Sequence, residues 1–163
     1  MEKIFGLIGQ TVSHSFSKSY FDEKFFREGL RDHHYELFPL KDINEIETLI
    51  QQTKGLSGLN VTIPYKEQVM QYLDEVDPPA KKIGAVNVFK IKDGKRKGFN
   101  TDMDAFHETV EKWLPKDRTF HALVLGTGGS SKSVQEALIK LNISYNLVSR
   151  EASKGHYTYK DLE

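Results

Sequence analysis

The residues best suited to chemistry in this sequence are Lys66 and Asp102, each inside a dense polar motif. Lys66 ends the heptapeptide NVTIPYK, which begins at Asn60 and follows an apolar segment, and Asp102 ends the tripeptide NTD. A lysine ammonium can protonate the alkoxide that forms when a hydride reaches a ketone, and it can accept that proton in the reverse direction. A carboxylate is the natural partner to hold the ammonium in place. Two solvated charges are the alternative interpretation, and the asparagine and threonine neighbours in both motifs argue against it.

A second candidate site is the segment GTGGSS, which lies between an apolar segment and a helical pattern. In that setting Gly126 allows a tight turn, Gly128 lets the backbone approach a pyrophosphate, and helical N–H groups from Gly129 onward meet the negative charge. Ser131 stands where the usual fingerprint has a third glycine, so slightly looser helix–strand packing is expected. An ordinary strand–helix turn is the alternative. The predicted cofactor-binding residues of the turn are Gly126, Thr127, Gly128, Gly129 and Ser130.

The end of the next strand indicates which dinucleotide the turn would take. A site for NAD places Asp or Glu there, about 20 residues on, to bind the ribose 2′-hydroxyl. This chain has Ser149, Arg150 and Glu151, with Lys154 just after. Arginine can stack on adenine and hold a 2′-phosphate through a charge-assisted fork, which favours NADP. Glu151 opposes that assignment, and a surface role for Arg150 and Lys154 is the alternative.

Alternating strand and helix patterns must position these residues. Apolar segments predict strands at 4–9, 35–40, 59–63, 85–92, 121–125 and 145–149. Helical spacing predicts helices at 19–30, 43–50, 67–73, 102–114 and 131–141. The segment DEVDPPAKK at 74–82 is predicted to be a break after the third of these helices. This alternation predicts an α/β fold with a mostly parallel sheet, followed by the first strand–helix–strand unit of a Rossmann domain.

The predicted boundaries are a substrate-binding domain at 1–101, a connecting helix and linker at 102–118, and a partial NADP-binding domain at 119–163. One strand–helix–strand unit of roughly 45 residues is too small to bury both faces of a sheet. We therefore expect the front part of a longer enzyme, inactive on its own, with a naturally minimal domain as the alternative. The strand at 145–148 would then form an open, apolar edge, through which another copy of the chain could associate.

The composition limits the classes of partner. Lys plus Arg and Asp plus Glu number 23 each, so no net field favours nucleic acid or an anionic membrane. The chain has no cysteine, which excludes disulfides and thiolate metal sites. Its six histidines show no ligand spacing, so no metal is expected. No apolar run approaches the length of a signal peptide or a membrane span, and a cytoplasmic location is expected.

Five motifs together resemble the shikimate dehydrogenase family in their order and spacing. They are HSFS at 14–17, NVTIPYK at 60–66, GAVN at 84–87, NTD at 100–102 and GTGGSS at 126–131. Members of this family reduce 3-dehydroshikimate with NADPH in aromatic amino-acid biosynthesis. The resemblance covers essentially the whole chain. It implies a substrate domain followed by an NADP-binding Rossmann domain, with catalysis in the cleft between them.

The resemblance also implies roles for individual residues. Lys66 would be the proton donor and acceptor, paired with Asp102, while Ser15 and Ser17 would bind the substrate carboxylate. A helix cap is the alternative role for a serine there. The implied substrate-binding residues are Ser15, Ser17, Asn60, Thr62, Lys66, Asn87 and Asp102.

Three departures from the family pattern stand out. Lys18 replaces a proline after the serine pair, and Met103 replaces a glycine after NTD, at the expected mouth of the cleft. The cofactor strand ends in Ser149-Arg150-Glu151 instead of an asparagine–arginine–threonine triplet. Two alternatives stay open at this point: a chain that binds shikimate without catalysis, and a related dehydrogenase acting on quinate or another cyclic polyol.

Overall fold

Two β-sheets organise the computed structural model, which describes residues 2–151 and 156–162. The strands of the first sheet are β1 (Lys3–Gly9), β2 (His33–Pro39), β3 (Leu56–Val61), β4 (Glu75–Val76), β5 (Val88–Lys92) and β6 (Lys95–Phe99). Those of the second sheet are β7 (His121–Leu125), β8 (Ser144–Ser149) and β9 (His156–Thr158). The α-helices are α1 (Ser17–Arg27), α2 (Ile46–Gln52), α3 (Pro78–Ile83), α4 (Asp102–Trp113) and α5 (Gly129–Lys140). Short 3₁₀ turns cover Ile43–Glu45, Gln68–Tyr72 and Tyr159–Leu162.

The first sheet has the strand order β2-β1-β3-β5-β6-β4. β1 pairs in parallel with β2 and β3, and β4 pairs in parallel with β6. β5 runs antiparallel to both β3 and β6, because β5 and β6 form a hairpin. The predicted α/β fold with a mostly parallel sheet is confirmed, and β5 is the antiparallel exception.

The hairpin turn explains one strand that the apolar pattern missed. Asp93 and Gly94 have φ angles of 52° and 75°, as the tight turns that suit twisted hairpins require. β6, which follows, has the sequence KRKGF and lacks an apolar alternation. Its place in the sheet comes from pairing with β5 and β4, not from its own hydrophobicity.

The predicted break at DEVDPPAKK contains β4 and the helix α3. Pro78 and Pro79 occupy the first turn of α3, where a proline is pre-set for helical φ and its missing N–H costs nothing. Gly84 ends the helix in the left-handed conformation, at φ 72°. The two prolines therefore start a helix here, and the prediction of a break was wrong.

The predicted strand at 85–92 begins only at Val88. The backbone N–H of Val86 donates to Lys66 O at 2.7 Å, and that of Asn87 donates to Phe99 O at 3.1 Å. These three positions are buried: Ala85, Val86 and Asn87. Their apolar pattern therefore comes from packing against neighbouring segments, and not from a longer strand.

Three clusters of buried side chains form the core. The largest lies on one face of the first sheet, under α2, α3 and two 3₁₀ turns, and a second lies under α1 on the opposite face. The third joins α3 and α4 to α5, and its buried members are Ile83, Ala85, Met103 and Ala137. This last cluster packs the helix that follows the glycine turn against the first unit.

The second sheet has the order β7-β8-β9, with all pairs parallel. β8 is thus the central strand. The prediction of an open edge at 145–148 was wrong for 147–148, which pair with β9, whereas β9 does not extend to 145–146. Val148 is fully buried and lies opposite Tyr157 of β9. A polar segment without an apolar pattern supplies the third strand, so the sequence did not reveal it.

None of the helices in the described part of the chain is long and apolar enough to cross a membrane.

Candidate active site

The structure brings Lys66 and Asp102 into direct contact. Lys66 lies in the loop after β3, and Asp102 is the first residue of α4. Lys66 Nζ donates to Asp102 Oδ2 at 2.7 Å, and the lysine side chain is only 12% exposed. A charge-assisted hydrogen bond of this length holds the ammonium in one place. The alternative of two independent solvated charges is excluded by this contact.

Asn87 holds the other side of the Asp102 carboxylate. Its Nδ2 donates to Asp102 Oδ1 at 2.7 Å and to Thr101 Oγ1 at 2.9 Å. Its Oδ1 accepts from the backbone N–H of Thr101 at 2.9 Å. Both amide donors are therefore engaged within the NTD turn, and Asn87 fixes the carboxylate that fixes Lys66.

A buried tyrosine, which the sequence pattern did not single out, connects two predicted substrate-binding residues. Tyr35 is 1% exposed, and its hydroxyl donates to Asn60 Oδ1 at 2.9 Å. Burial raises the pKa of Tyr35 to about 12, while a hydrogen bond with the Ser17 side chain acts in the opposite direction. One sequence feature could have revealed this residue: a tyrosine stands at a core position of β2 where a phenylalanine would pack as well. A buried phenol needs a polar partner, so the hydroxyl indicates one.

The serine pair forms a compact polar turn at the start of α1. Ser15 Oγ donates to Ser17 Oγ at 3.0 Å and accepts from the Ser17 backbone N–H at 3.1 Å. The residue that caps α1 is Phe16, and no side chain makes a capping hydrogen bond there. The cap residue itself is therefore not a serine, but Ser15 still accepts from the first N–H of α1, and the two serine hydroxyls face each other beside Tyr35.

Lys18 takes a structural role in place of the expected proline. Its ammonium donates to Tyr35 O at 2.6 Å and pairs with Glu36 at 3.2 Å. This contact ties α1 to β2 next to the serine pair. Thr62 follows β3 on the other side of the site, and its backbone N–H donates to Ile8 O at 2.9 Å.

Asn100 is a second residue that the sequence did not mark as important in itself. It is buried, with Nδ2 donating to Ala85 O at 3.0 Å and to Ser133 Oγ at 2.9 Å. Its Oδ1 accepts from the Met103 backbone N–H at 3.2 Å, in the first turn of α4. The Asn100 side chain thus links three segments through its hydrogen bonds: the GAVN segment, the first turn of α4, and the helix α5.

Met103 does not lie at the mouth of a cleft. It is 1% exposed and packs in the cluster with Ile83, Ala85 and Ala137. The expectation of a cleft-lining side chain was wrong, because the helical turn that begins at Asp102 points the next residue into the junction with α5.

The backbone conformation of the glycine turn suits the glycines that form it. Gly126 has φ 105°, a region that side chains rarely adopt, and its N–H donates to Val148 O at 2.8 Å. A Cβ added at Gly126 or Gly128 would meet no atom within 4 Å, so this surface is open to a ligand. The helix α5 begins at Gly129, two positions before the predicted start at Ser131. Ser131 is buried and accepts a hydrogen bond from Gln135 at 3.1 Å.

The same turn lies against Lys66. A Cβ added at Gly129 would lie 2.9 Å from Lys66 Cβ, so only glycine allows this approach. Lys66 Nζ donates to Ser130 Oγ at 2.9 Å, and Lys132 pairs with Glu67 at 2.5 Å. The candidate proton-transfer residue and the candidate cofactor turn therefore share one site.

The residues predicted to select the dinucleotide lie beyond that site, at the end of β8. Ser149 donates to the backbone carbonyl of Glu151, and Arg150 is exposed. Lys154 lies outside the described residues. The Gly126 N–H donates to the Val148 carbonyl, so the glycine turn contacts β8 near its end. Arg150 comes directly after that strand.

A large cavity in the described part of the chain is separate from the Lys66–Asp102 pair. It has a volume of about 750 Å³ and lies on the α1 face of the first sheet, lined by Phe5, Phe21 and Phe25 among others. It shares Tyr35 and Asn60 with the site, but neither Lys66 nor Asp102 lines it. Within the described residues, no group of three His, Cys, Asp or Glu side chains could hold a metal ion.

Fold and site together define a class of protein. A substrate-domain α/β fold with a lysine–aspartate pair precedes the start of a Rossmann-like unit, whose glycine turn faces that pair. The chain belongs to the shikimate dehydrogenase family, because the model of the shikimate dehydrogenase substrate binding domain matches residues 7–89.

Relatives and solved structures agree with this assignment. The chain is 40% identical to a shikimate dehydrogenase (NADP(+)) of Clostridium perfringens, over 98% of this chain and 59% of that relative. It superimposes on shikimate dehydrogenase 1 of Peptoclostridium difficile with a TM-score of 0.86 and 33% identity, covering 98% and 62% of the two chains. It also matches the Thermus thermophilus shikimate 5-dehydrogenase in complex with NADP(H) and shikimate, with a TM-score of 0.76 and 31% identity over 91% and 56%. The chain thus spans about 60% of the length of these proteins.

Proposed function

We propose that this chain carries the substrate site and the proton-transfer pair of an NADP-dependent shikimate dehydrogenase. The reaction is the reversible reduction of 3-dehydroshikimate to shikimate. In this proposal residues 1–101 form the substrate-binding domain, 102–118 the connection, and 119–163 the start of the cofactor domain. The observation that carries it is the 2.7 Å contact of a nearly buried lysine with Asp102, directly beside the glycine turn.

Lys66 has the chemistry that a ketone reduction needs. When NADPH is bound, it supplies the hydride for the carbonyl carbon. The carbonyl oxygen then takes up the bond's electron pair, and the Lys66 ammonium donates the proton that neutralises it. Asp102 keeps the ammonium oriented, and Asn87 keeps the carboxylate oriented. In the oxidation of shikimate the same amine takes the hydroxyl proton.

The polar residues around this pair suit a small hydroxylated acid. The hydroxyls of Ser15 and Ser17 lie 3.0 Å apart, a spacing that lets both approach one carboxylate. Asn60 Oδ1 accepts from the Tyr35 hydroxyl, and an amide group supplies a donor as well as an acceptor at short reach. Thr62 lies on the same loop as Lys66. We propose that these residues bind the carboxylate and ring hydroxyls of shikimate.

The glycine turn fits a dinucleotide. Gly126 and Gly128 leave the backbone uncovered, and the first N–H groups of α5 have no partner within the helix. The turn and these N–H groups, at Gly126 to Ser130, would hold the pyrophosphate. Ser149 and Arg150 at the end of β8 would hold the 2′-phosphate that distinguishes NADP.

A second candidate function is shikimate binding without turnover. It is favoured by one observation: the proposed substrate-binding residues and the Lys66–Asp102 pair all lie at or before the first residue of α4, ahead of the glycine turn.

Two measurements on the same protein separate these functions. Calorimetric titration with shikimate reports binding, and NADPH absorbance in the presence of shikimate and NADP⁺ reports turnover. We expect heat with shikimate. In a protein that turns shikimate over, Lys66→Ala should lower turnover by roughly 10²–10⁴-fold and leave the heat of shikimate binding unchanged. Heat without turnover supports the binding function, and no heat with shikimate contradicts both. Heat with quinate alone would assign the site to a quinate dehydrogenase.

We also propose self-association through the second sheet. The strand that we expect to make the contact is the edge strand β7, because β8 is the central strand. Leu123 and Leu125 are 49% and 63% exposed on β7, which lies at the edge of the described sheet. Exposed apolar side chains beside an unpaired edge favour contact with another chain. Sedimentation of the protein and of Leu125→Lys tests this, and a monomer at all concentrations would contradict it.

A further inference from the structure

The ammonium of Lys66 is held by two acceptors that come from different units. Asp102 Oδ2 lies 2.7 Å from Nζ, and Ser130 Oγ lies 2.9 Å from it. A lysine ammonium has three N–H donors, so these two bonds orient the third toward the remaining side. Among the described residues, the hydrogen-bond acceptors of this ammonium are these two.

Ser130 is held in position by the packing of the first turn of α5. Gly129 lies so close to Lys66 that a Cβ there would be 2.9 Å from the lysine Cβ. Lys132, in the same turn, pairs with Glu67 at 2.5 Å, and the buried Ser133 bonds to Asn100. These contacts hold the first turn of α5 against the first unit and so keep the exposed hydroxyl of Ser130 within reach of Lys66.

We propose that Ser130 is a positioning residue for Lys66, in addition to any contact of its backbone N–H with the cofactor. With Asp102 on one N–H and Ser130 on another, the long flexible lysine side chain keeps its third N–H aimed into the cleft. The part of this inference that concerns proton transfer rests on the proposed function. The part that concerns how the amine is held does not.

The glycine turn then acts on both reactants. Its backbone is open to a dinucleotide, and its serine side chain orients the proton donor. The orientation of Lys66 consequently depends on α5 keeping its place against the first unit. A serine at the neighbouring position has no such role, because Ser131 bonds to Gln135.

The test measures how fast Lys66 reacts with an amine-acetylating reagent, by mass spectrometry of the peptide that contains it. Ser130→Ala removes one acceptor, and we expect acetylation of Lys66 to become about three- to tenfold faster, as for the loss of one hydrogen bond. Ser130→Thr keeps the hydroxyl at an exposed position and should restore the rate to within about twofold of the parent. Ser131→Ala is the matched control, and it should leave Lys66 at the parent rate.

Two other lysines report whether the variant has merely separated the two units. Lys132 pairs with Glu67 and Lys82 pairs with Glu136, both across the same interface. A rise confined to Lys66 supports positioning by Ser130. An equal rise at all three lysines, or no rise at Lys66, would overturn it.

Turnover supplies a second readout. In a protein that oxidises shikimate, Ser130→Ala should lower kcat with little change in the KM for shikimate, and Ser130→Thr should recover it. A change in KM alone would count against positioning. Failure of the proposed function would appear separately, as absence of shikimate binding and turnover in the parent protein while the acetylation difference persists.

Discussion

Replacing Asn100 with alanine should destabilise the protein more than replacing any exposed asparagine. Asn100 is 6% exposed and satisfies Ala85 O, Ser133 Oγ and the Met103 N–H. Alanine would leave the Ala85 carbonyl and the Met103 N–H buried without these partners. Ser133 retains a 3.5 Å contact to the Gly129 carbonyl, so its loss is partial.

The magnitude follows from those two groups. Each buried polar group left without a partner costs roughly 1–3 kcal/mol, so Asn100→Ala should cost about 3–4 kcal/mol. Ser133→Ala removes a hydroxyl from the same network and should cost about 1–2 kcal/mol, and the double variant should cost less than the sum. The exposed Asn44, which accepts from Tyr72, is the control, and its alanine variant should cost less than about 1 kcal/mol.

Urea unfolding of the four variants measures these free energies, and hydrogen exchange at the Met103 amide localises the effect. Exchange there should become faster in Asn100→Ala and stay slow in Asn44→Ala. A loss below about 1 kcal/mol for Asn100→Ala would refute the claim that this side chain joins α4 to α5.

Two further predictions concern a surface ion pair and the glycine turn. Arg96 lowers the pKa of Glu47 from its ordinary value of 4.5, chiefly through a hydrogen bond, so the pair stabilises the fold above that pH and the contribution is lost as the pH falls through the depressed value. Unfolding free energies of the parent and Glu47→Gln should therefore converge between neutral and acidic pH, and a constant difference would contradict this. Gly129→Ala should lower the unfolding midpoint and shikimate turnover despite the better helix propensity of alanine, because its Cβ would lie 2.9 Å from Lys66 Cβ. Gly128→Ala, whose Cβ meets no atom within 4 Å, should leave the midpoint unchanged; equal midpoints for both variants would show that α5 moves freely.

The polar motifs were visible in the sequence because each follows a strand or begins a helix. Lys66 lies in the loop after β3, and Asp102 begins the helix after β6, at the same end of the first sheet, and the expected contact between them is present. The glycine turn was equally visible, since Gly126 requires a φ that few other residues tolerate. These motifs could be assigned to strand ends and helix starts from the residues next to them along the chain, and those neighbours are read directly from the sequence.

The supporting residues were not visible, because burial is a property of the folded chain. Asn100 and Tyr35 look like ordinary polar residues in sequence, and their importance comes from being buried with partners on other elements. The same limit applies to β9, whose pairing with β8 depends on where the preceding segment carries it.

The sequence by itself determined the α/β alternation, the family resemblance and the identity of the candidate proton donor, since these depend on residue type and spacing along the chain. Only the tertiary structure decided that Gly129 and Ser130 lie against Lys66, and that Met103 is buried in the junction instead of lining a cleft. The physical reason is distance along the chain. The segment that carries Lys66 and the turn that carries Ser130 meet only because α5 packs on α3 and α4, and no local pattern encodes that contact.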